Sequence, residues 1–316
     1  MNYKRGSTGP EVKKIQERLR VLGFYLGAID GGFGQGTEAA VKKFQTAKGI
    51  KSDGEVGPTT WKLLFEIPVA KQPLPDRPLP VRCLALTGSF ETSLPPPDCF
   101  AGLSGNFDGM GISFGVLQWN LGQGSLQPLI QEMDNKHRSI LKGAFSANYA
   151  ELIQSVKLPK SEGVAWSKTI QSNKFVVNEP WRSQFKTLGR TNEYQAIQTD
   201  HADANFRKAL DWCKDYGLWS QRAVALMFDI RTQNGSIKPA TKDLIMADFA
   251  ALPAMPEAER EVARMRIVAN RRAEASNPVW IEDVRKRKLT IANGTGTVHG
   301  QQYDLATTYG ILLRKF

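Results

Sequence analysis

The sequence predicts a mainly α-helical protein of two domains, a small three-helix module followed by a larger helical domain with a short β-hairpin. Apolar residues recur at helical spacing through most of the chain, a proline-rich segment interrupts that pattern once, and glycines cluster around one alternating stretch. The chain has 316 residues, 41% hydrophobic and 23% charged, which is typical of globular proteins and long enough for two domains.

Composition and charge exclude several functional classes. The chain contains no apolar stretch long enough to cross a bilayer, and its first residues lack the apolar segment of a signal peptide, so we expect no membrane insertion. Three scattered histidines and three cysteines without a CxxC pair predict no metal site, cofactor or disulfide framework. The net charge of +11 attracts polyanions, but the basic residues between 260 and 288 are expected to coat helices, and no nucleic-acid partner is predicted.

The proline-rich segment predicts the domain boundaries. Prolines at positions 68, 73, 75, 78 and 80 remove backbone donors and favour an extended spacer. We therefore expect a first domain at residues 1–66, a linker at 67–81 and a second domain at 82–316.

Helical spacing and two similar turns predict the elements of the first domain. Val12 and Leu19 fall on one face of the first helix. The strings DGGFGQGT and DGEVGPTT share the pattern DGxxGxxT, so we expect Thr37 to cap the second helix and Thr59 or Thr60 to cap the third. The doubled pattern predicts a three-helix unit with two similar halves.

The same segment resembles a known family. From residue 6 to about residue 65 it resembles the peptidoglycan-binding domain attached to many cell-wall hydrolases, most clearly in the strings IQxxLxxLGF, IDGxFGxxTxxAVxxFQ and DGxVGxxTW. The resemblance implies a wall-anchoring module with peptidoglycan as its partner.

Two carboxylates of the second domain suit the chemistry of a glycosidase. Glu91 ends an apolar helix, and Asp108 opens the glycine-rich stretch around Ile112 and Phe114 that predicts the hairpin. Hydrolysis of a glycosidic bond needs a protonated acid beside the leaving oxygen and a second carboxylate that activates water or stabilises the oxocarbenium ion. Glu91 fits the first role and Asp108 the second, although an aspartate before glycine also forms turns for purely conformational reasons.

This region resembles the chitosanase family, a branch of the lysozyme-like superfamily, in the strings ETS and DGMGISFGVLQWNxGQG. The resemblance extends over roughly residues 84–294 and implies a lysozyme-like α+β domain. Carried over residue by residue, it places the general acid at Glu91, the second carboxylate at Asp108 and the hydroxyl that positions the attacking water at Ser113.

The resemblance also implies a supporting ion-pair network. The helix within GLWSQRAVALMFDIRTQNG places a structural carboxylate at Asp229, with Arg271, Arg285 or Arg287 as its candidate partners. Such links between arginine and carboxylate would orient Glu91 and hold the cleft shut around it.

Departures from the chitosanase pattern concern the substrate. Met110 stands where the family has arginine, and Ser125 stands where it has an aspartate. Because chitosan is a polycation, a basic chain that lacks one acidic position favours an anionic polymer such as peptidoglycan. Gln118, Trp119 and Asn120 are candidates to line sugar subsites, although core packing explains Trp119 equally well.

These observations predict an endolysin-type muramidase, monomeric and without a cofactor, that hydrolyses the MurNAc-GlcNAc backbone of peptidoglycan by general acid/base catalysis. Without a signal peptide, we expect synthesis in the cytoplasm and holin- or secretion-dependent release to the cell wall.

Four alternatives stay open at this point. The first is a type VI secreted antibacterial muramidase, which would have an immunity protein as partner. A lytic transglycosylase is favoured if Asp108 only forms a turn, since that reaction needs no second carboxylate. The others are a true chitosanase and a non-catalytic wall-binding protein.

Overall fold

The computed structural model of the chain describes residues 2–22, 24–25, 27–65 and 73–316. The chain folds into two units, each with most of its packing inside itself. The first unit comprises Met1–Lys71 and Ala101–Ile197, and the second comprises Gln72–Phe100 and Gln198–Phe316.

Helices dominate both units, and their bounds follow in chain order: α1 Pro10–Val21, α2 Gln35–Ala47, α3 Pro58–Phe65, α4 Leu79–Thr92, α5 Leu126–Phe145, α6 Tyr149–Ser155, α7 Lys160–Thr169, α8 Trp181–Gly189, α9 Asn192–His201, α10 Asp203–Asp215, α11 Gln221–Asn234, α12 Pro239–Ala250, α13 Glu257–Glu274, α14 Ile281–Asn293 and α15 Leu305–Tyr309. The strands are β1 Leu103–Ser104, β2 Ser113–Phe114, β3 Trp119–Asn120, β4 Thr295–Val298 and β5 Gln301–Asp304. The prediction of a mainly α-helical protein with a small β element is confirmed. No helix within the described ranges is both long and apolar enough to span a membrane.

The N-terminal module has the predicted three helices, α1 to α3, and their core contains Val12 and Leu19. The predicted threonine caps are wrong. Gly34 precedes α2, which begins at Gln35, and α3 begins at Pro58, so the threonines lie inside their helices.

A pair of buried glutamines explains why the threonines recur. Gln16 donates from Nε2 to Asp30 Oδ1 at 2.8 Å and to Thr37 Oγ1 at 3.2 Å, and its Oε1 accepts the Gly31 N–H at 2.8 Å.

Gln45 repeats this arrangement in the second half of the module. Its Nε2 donates to Asp53 Oδ1 at 2.8 Å and to Thr60 Oγ1 at 3.1 Å, and its Oε1 accepts the Gly54 N–H at 2.8 Å. The two similar halves are therefore confirmed, but each threonine serves as an acceptor for a glutamine rather than as a helix cap.

The predicted hairpin is part of a three-stranded antiparallel sheet in the order β1-β2-β3. Phe114 on β2 is fully buried among the helices that follow the sheet. Its ring centroid lies 4.9 Å from that of Phe185 and 5.3 Å from that of Tyr194. These contacts anchor the short strands, which are only two residues long, to the helical core of the first unit.

The core of the second unit is built around α4 and α11. Every residue of α4 from Val81 to Phe90 is buried, and the same holds in α11 from Ala223 to Ile230. Helix α4 begins at Leu79, so residues 79–81 of the predicted linker are helical, whereas residues 67–72 lie outside the described residues.

Candidate active site

Glu91 lies at the C-terminal end of α4, where the buried run of that helix stops. Its side chain is 34% exposed, whereas the preceding Phe90 is buried. The next turn ends the helix, because Ser93 adopts a left-handed conformation with φ 55°. The fold thus fixes the backbone of Glu91 firmly and leaves its carboxyl group accessible.

Arg287 of α14 holds the Glu91 carboxyl group. Its Nη2 lies 2.8 Å from Glu91 Oε1, although the arginine side chain is only 2% exposed. The guanidinium carbon lies 4.9 Å from the ring centroid of Phe90, within cation–π distance. The ring and the carboxyl group therefore hold the guanidinium from two sides.

Asp229 binds the same guanidinium from the interior. Arg287 Nε lies 3.1 Å and 3.0 Å from the two Asp229 oxygens, and Nη2 lies 2.7 Å from Oδ1. Lys288 Nζ also donates to Asp229, and Thr87 Oγ1 donates to it at 3.0 Å. Asp229 and Lys288 are both fully buried. The result is a chain of charges that runs from the core to Glu91.

The electrostatics of this chain keep Asp229 ionised. Burial alone would raise the pKa of Asp229, but the positive charges of Arg287 and Lys288 outweigh it and hold the pKa far below its ordinary value. Burial lowers the pKa of Lys288 to about 8, against the opposing pull of Asp229. For Arg287 the two carboxylates outweigh desolvation and raise the pKa.

Of the three predicted arginine partners, Arg287 is the one that contacts Asp229. The predictions for Arg271 and Arg285 are wrong. Arg271 on α13 forms a bidentate pair with Asp248 on α12, with nitrogen–oxygen distances of 2.6 Å and 3.0 Å.

The position of Arg285 on α14 explains the other error. Arg285 forms an ion pair with Glu282 on its own helix, one turn earlier. The buried face of α14 passes through Val284, Arg287 and Ile291, and Arg285 lies off that face.

The expectation that the basic residues between 260 and 288 coat helices is also wrong at two positions, because Arg287 and Lys288 are buried. Three further residues of this network were not predicted: Lys288, Thr87 and Gln233. The Gln233 Oε1 accepts from Lys288 Nζ at 2.6 Å. A signal was present: Arg287 and Lys288 fall in the helical stripe between the apolar Val284 and Ile291.

The first unit holds the other candidate residues around its small sheet. Ser113 is buried on β2 and pairs with Asn120 on β3. The loop between β1 and β2 carries Asp108, whose side chain is exposed. Its Oδ1 accepts the Met110 N–H at 3.0 Å, and Asn106 Oδ1 accepts the Gly111 N–H at 2.6 Å. Asp108 therefore stands in a loop that its own side chain helps to form.

The predicted subsite residues have other contacts. Gln118 accepts from Ser104 Oγ at 2.8 Å and donates to the Gly115 carbonyl at 2.8 Å. Asn120 is buried, and its Oδ1 accepts the N–H of Gln123 at 2.8 Å. Trp119 is half-buried against the hydrophobic core. Gln118 thus stabilises the turn between β2 and β3, and Asn120 stabilises the turn that follows β3.

The structure thus assembles Glu91, Asp229 and Arg287 in the second unit, whereas Asp108 and Ser113 belong to the first unit. Chemically, the second unit offers an accessible carboxyl group in a fixed position, supported by buried charges that balance one another. Such an arrangement suits proton transfer to or from a bound substrate.

Comparison with known proteins identifies the N-terminal module. Residues 8–64 match the family described as "Putative peptidoglycan binding domain". The N-terminal module is therefore similar to a peptidoglycan-binding domain. The matched segment is 43% identical over 62 residues to the spore cortex-lytic enzyme of Bacillus cereus, covering 20% of this chain and 24% of that protein. It is also 43% identical over 67 residues to the zinc D-Ala-D-Ala carboxypeptidase of Streptomyces albus G, covering 20% of this chain and 25% of that protein.

The chain thus spans about a quarter of the length of these curated relatives. Their names describe different activities, so the shared module does not decide the reaction. Among solved structures, a Gynuella sunshinyii chitosanase in complex with chitotetraose is similar with a TM-score of 0.43 and 12% identity, covering 71% of this chain and 96% of that chain.

Proposed function

We propose that the protein is a modular cell-wall hydrolase, in which the peptidoglycan-binding domain anchors a glycosidase that cleaves the MurNAc-GlcNAc backbone. The observation that carries the proposal is the accessible Glu91 carboxyl group held by the buried Arg287, in a chain whose N-terminal residues match a wall-binding family. A relative of that module is named a cortex-lytic enzyme, which supports action on the cell wall.

In the proposed reaction Glu91 acts as the proton donor. Its proton passes to the glycosidic oxygen as the bond from that oxygen to the anomeric carbon breaks. A water molecule adds to the anomeric carbon and gives its proton to the second carboxylate, for which we propose Asp108, while Ser113 positions the water. The products are a reducing MurNAc end and a free GlcNAc hydroxyl. Arg287 orients Glu91 throughout, and Asp229 and Lys288 orient Arg287.

The test uses the full chain on outer-membrane-permeabilised Gram-negative cells, with loss of turbidity as the readout. Glu91→Gln should slow lysis about 10²- to 10⁴-fold, the range for loss of a general acid. Glu282→Gln is the matched control, because Glu282 is an exposed glutamate whose partner is Arg285. Lysis by the Glu91 variant at the wild-type rate would remove this residue from the mechanism.

A lytic transglycosylase is the second candidate, and the hydrogen bond from the Met110 N–H to Asp108 favours it. That bond gives Asp108 a conformational role, and a transglycosylase requires no other role of it because that reaction needs no second carboxylate. Asp108→Asn separates the two reactions because asparagine keeps the turn-forming oxygen. The readout is mass spectrometry of the released muropeptides. A hydrolase should give reducing ends that Asp108→Asn abolishes, whereas a transglycosylase should give anhydro ends that persist in this variant.

We also propose that the enzyme is made in the cytoplasm and reaches the wall after holin-dependent release, as an endolysin does, with a type VI secreted effector as the alternative. Expression in the cytoplasm of a Gram-negative host should be harmless, and co-expression with a holin should cause lysis. Lysis without any release route would contradict this proposal, and protection by a co-encoded immunity protein would favour the effector.

A further inference from the structure

The first unit contains a pocket of about 420 Å³ whose lining residues have no role in the proposed reaction. One wall comes from β1 and the loop after it, including Phe107. The opposite wall comes from the turn before α8, including Phe175, and from α8 itself. Three cations line it as well: Lys174, Arg182 and Lys186.

Packing in a hydrophobic core does not explain the presence of the two phenylalanines in the pocket. Phe107 is 68% exposed and Phe175 is 47% exposed. A phenylalanine gains stability from burial, so two exposed rings that line one concavity indicate a ligand surface. The flat apolar face of an aromatic ring suits the apolar face of a sugar.

The turn that presents Phe175 is held in a strained conformation. Phe175 has φ 58°, in the left-handed region that residues with a side chain rarely adopt. Its N–H donates to the Ser172 carbonyl at 3.0 Å, and the Ser172 N–H donates to the Val176 carbonyl at 2.8 Å. Gly105 packs so closely against this turn that a Cβ there would overlap the Phe175 carbonyl oxygen. Strain that surrounding contacts maintain at an exposed aromatic residue is typical of a binding site.

The charge of the pocket selects the class of ligand. None of its described lining residues is acidic. Arg182 Nε forms an ion pair with Glu179 at 3.0 Å, and about half of each side chain is exposed. Lys174 and Lys186 are exposed and add two further positive charges. A surface of this kind attracts carboxylates and repels the ammonium groups of a polycation such as chitosan.

The position of the pocket along the chain connects it to the proposed reaction. Phe107 directly precedes Asp108, so the loop that carries the candidate second carboxylate also forms a wall of the pocket. A glycan that extends from Asp108 along this loop would reach the two rings.

We propose that this pocket is a subsite for an acidic glycan, which selects peptidoglycan over chitosan. The rings of Phe107 and Phe175 receive a sugar face, and Lys174 and Lys186 pair with a lactyl or peptide carboxylate of the same strand. The inference rests on the proposed function for its substrate, but it concerns binding and can be measured without catalysis.

The experiment compares two double variants of the full chain that change the charge equally. The variant with Lys174→Glu and Lys186→Glu reverses two positive charges of the pocket. The control variant, with Lys168→Glu and Lys214→Glu, reverses the charge of two exposed lysines elsewhere. The probes are soluble peptidoglycan fragments and the same fragments with their carboxylates converted to amides. The pocket variant should raise KM for native fragments about tenfold, as expected for loss of charge-assisted contacts. It should leave KM for the amidated fragments unchanged, and the control variant should leave both unchanged.

Calorimetric binding in a Glu91→Gln background separates the two proposals. Suppose that the wild-type protein shows no hydrolysis, while the charge reversals in the pocket still weaken fragment binding. In that case the proposed function fails and the subsite stands. Lysis by wild type with equal KM values for the pocket and control variants overturns the subsite alone. Phe107→Ala is a second probe, since loss of ring stacking should weaken binding of native and amidated fragments alike. Equal binding by this variant and wild type also counts against the subsite.

Discussion

The Arg287 guanidinium, although almost entirely buried, lies 2.8 Å from the accessible carboxyl group of Glu91. The buried guanidinium thus contacts the Glu91 carboxylate at the edge of the core. On the interior side, the Asp229 carboxylate compensates the charge of the same guanidinium. Such an arrangement restricts the rotamers of Glu91 without burying the group that must reach a substrate.

Removal of Arg287 should destabilise the second unit. Arg287→Ala leaves Asp229 buried with Lys288 as its remaining cation, and loss of one partner of a buried pair costs about 3–5 kcal/mol. The midpoint of urea denaturation should fall accordingly. Arg285→Ala, which breaks only the exposed pair with Glu282, should change the unfolding free energy by about 0.5 kcal/mol or less. Equal effects of the two variants would contradict the assigned pairing.

Asp229 should make the protein sensitive to acid. Its pKa is far lower in the folded state than the ordinary 3.8, so the unfolded chain binds more protons in acid. The stability that Asp229 contributes is complete above about pH 4 and is lost as the pH falls towards its folded pKa. Melting temperatures measured from pH 2 to pH 6 should therefore drop less steeply in Asp229→Asn than in wild type. The exposed Asp211→Asn should keep the wild-type slope.

Lys288 should make the unfolding free energy depend on pH in the alkaline range. Its pKa of about 8 in the folded protein lies below the ordinary 10.5. Between these two values the unfolded chain binds more protons, so the Lys288 contribution to the unfolding free energy rises with pH. Lys288→Met should remove this rise in urea denaturation series, whereas the exposed neighbour Lys286→Met should retain it. Parallel curves for both variants would count against a depressed pKa.

Gly105 and Gly143 should respond oppositely to alanine. A Cβ on Gly105 would overlap the carbonyl oxygen of Phe175, so Gly105→Ala should cost about 1–3 kcal/mol through overpacking. A Cβ on Gly143, inside α5, would meet nothing within 4 Å. Gly143→Ala should therefore stabilise the protein by roughly 0.5–1 kcal/mol. Thermal unfolding of the two variants checks both signs, and a neutral Gly105→Ala would disprove the close packing.

Gln45 should be essential to the N-terminal module. Gln45→Ala leaves the buried Gly54 N–H without its acceptor, at a cost of about 1–3 kcal/mol. Binding of the full chain to purified sacculi should weaken, while cleavage of short soluble fragments continues. Gln35→Ala, an exposed glutamine at the start of α2, is the matched control and should bind sacculi normally. Full retention of sacculus binding by Gln45→Ala would argue against this role.

The sequence patterns identified much of this architecture because those features are local. Helical periodicity predicts Glu91 near the end of an apolar helix, and the resemblance to the chitosanase family predicts the buried carboxylate at Asp229. The choice among the three arginines stays open in the sequence because it depends on which face of α14 meets α11, across 58 residues of sequence from Asp229 to Arg287. No local pattern encodes that orientation. The close approach of Gly105 to Phe175 escaped prediction for the same reason.

The threonines of the module show a different limit. A threonine just before a helix and one just inside it produce nearly the same sequence pattern. The pattern predicts caps at Thr37 and at Thr59 or Thr60, but Thr37 and Thr60 lie in the first turns of their helices and accept from glutamines of the preceding helices. The pattern DGxxGxxT therefore predicts the turn but does not determine which group donates to the threonine hydroxyl.

The duplicated glutamine arrangement has a consequence for protein engineering. From glutamine to aspartate the separation is 14 residues in the first half and 8 in the second, yet both glutamines make equivalent bonds. The stretch between the glutamine and the aspartate can thus vary in length while their hydrogen bond persists. Peptide tags or grafted recognition loops inserted there should be accommodated, and halves taken from different wall-binding modules should combine into working chimeras.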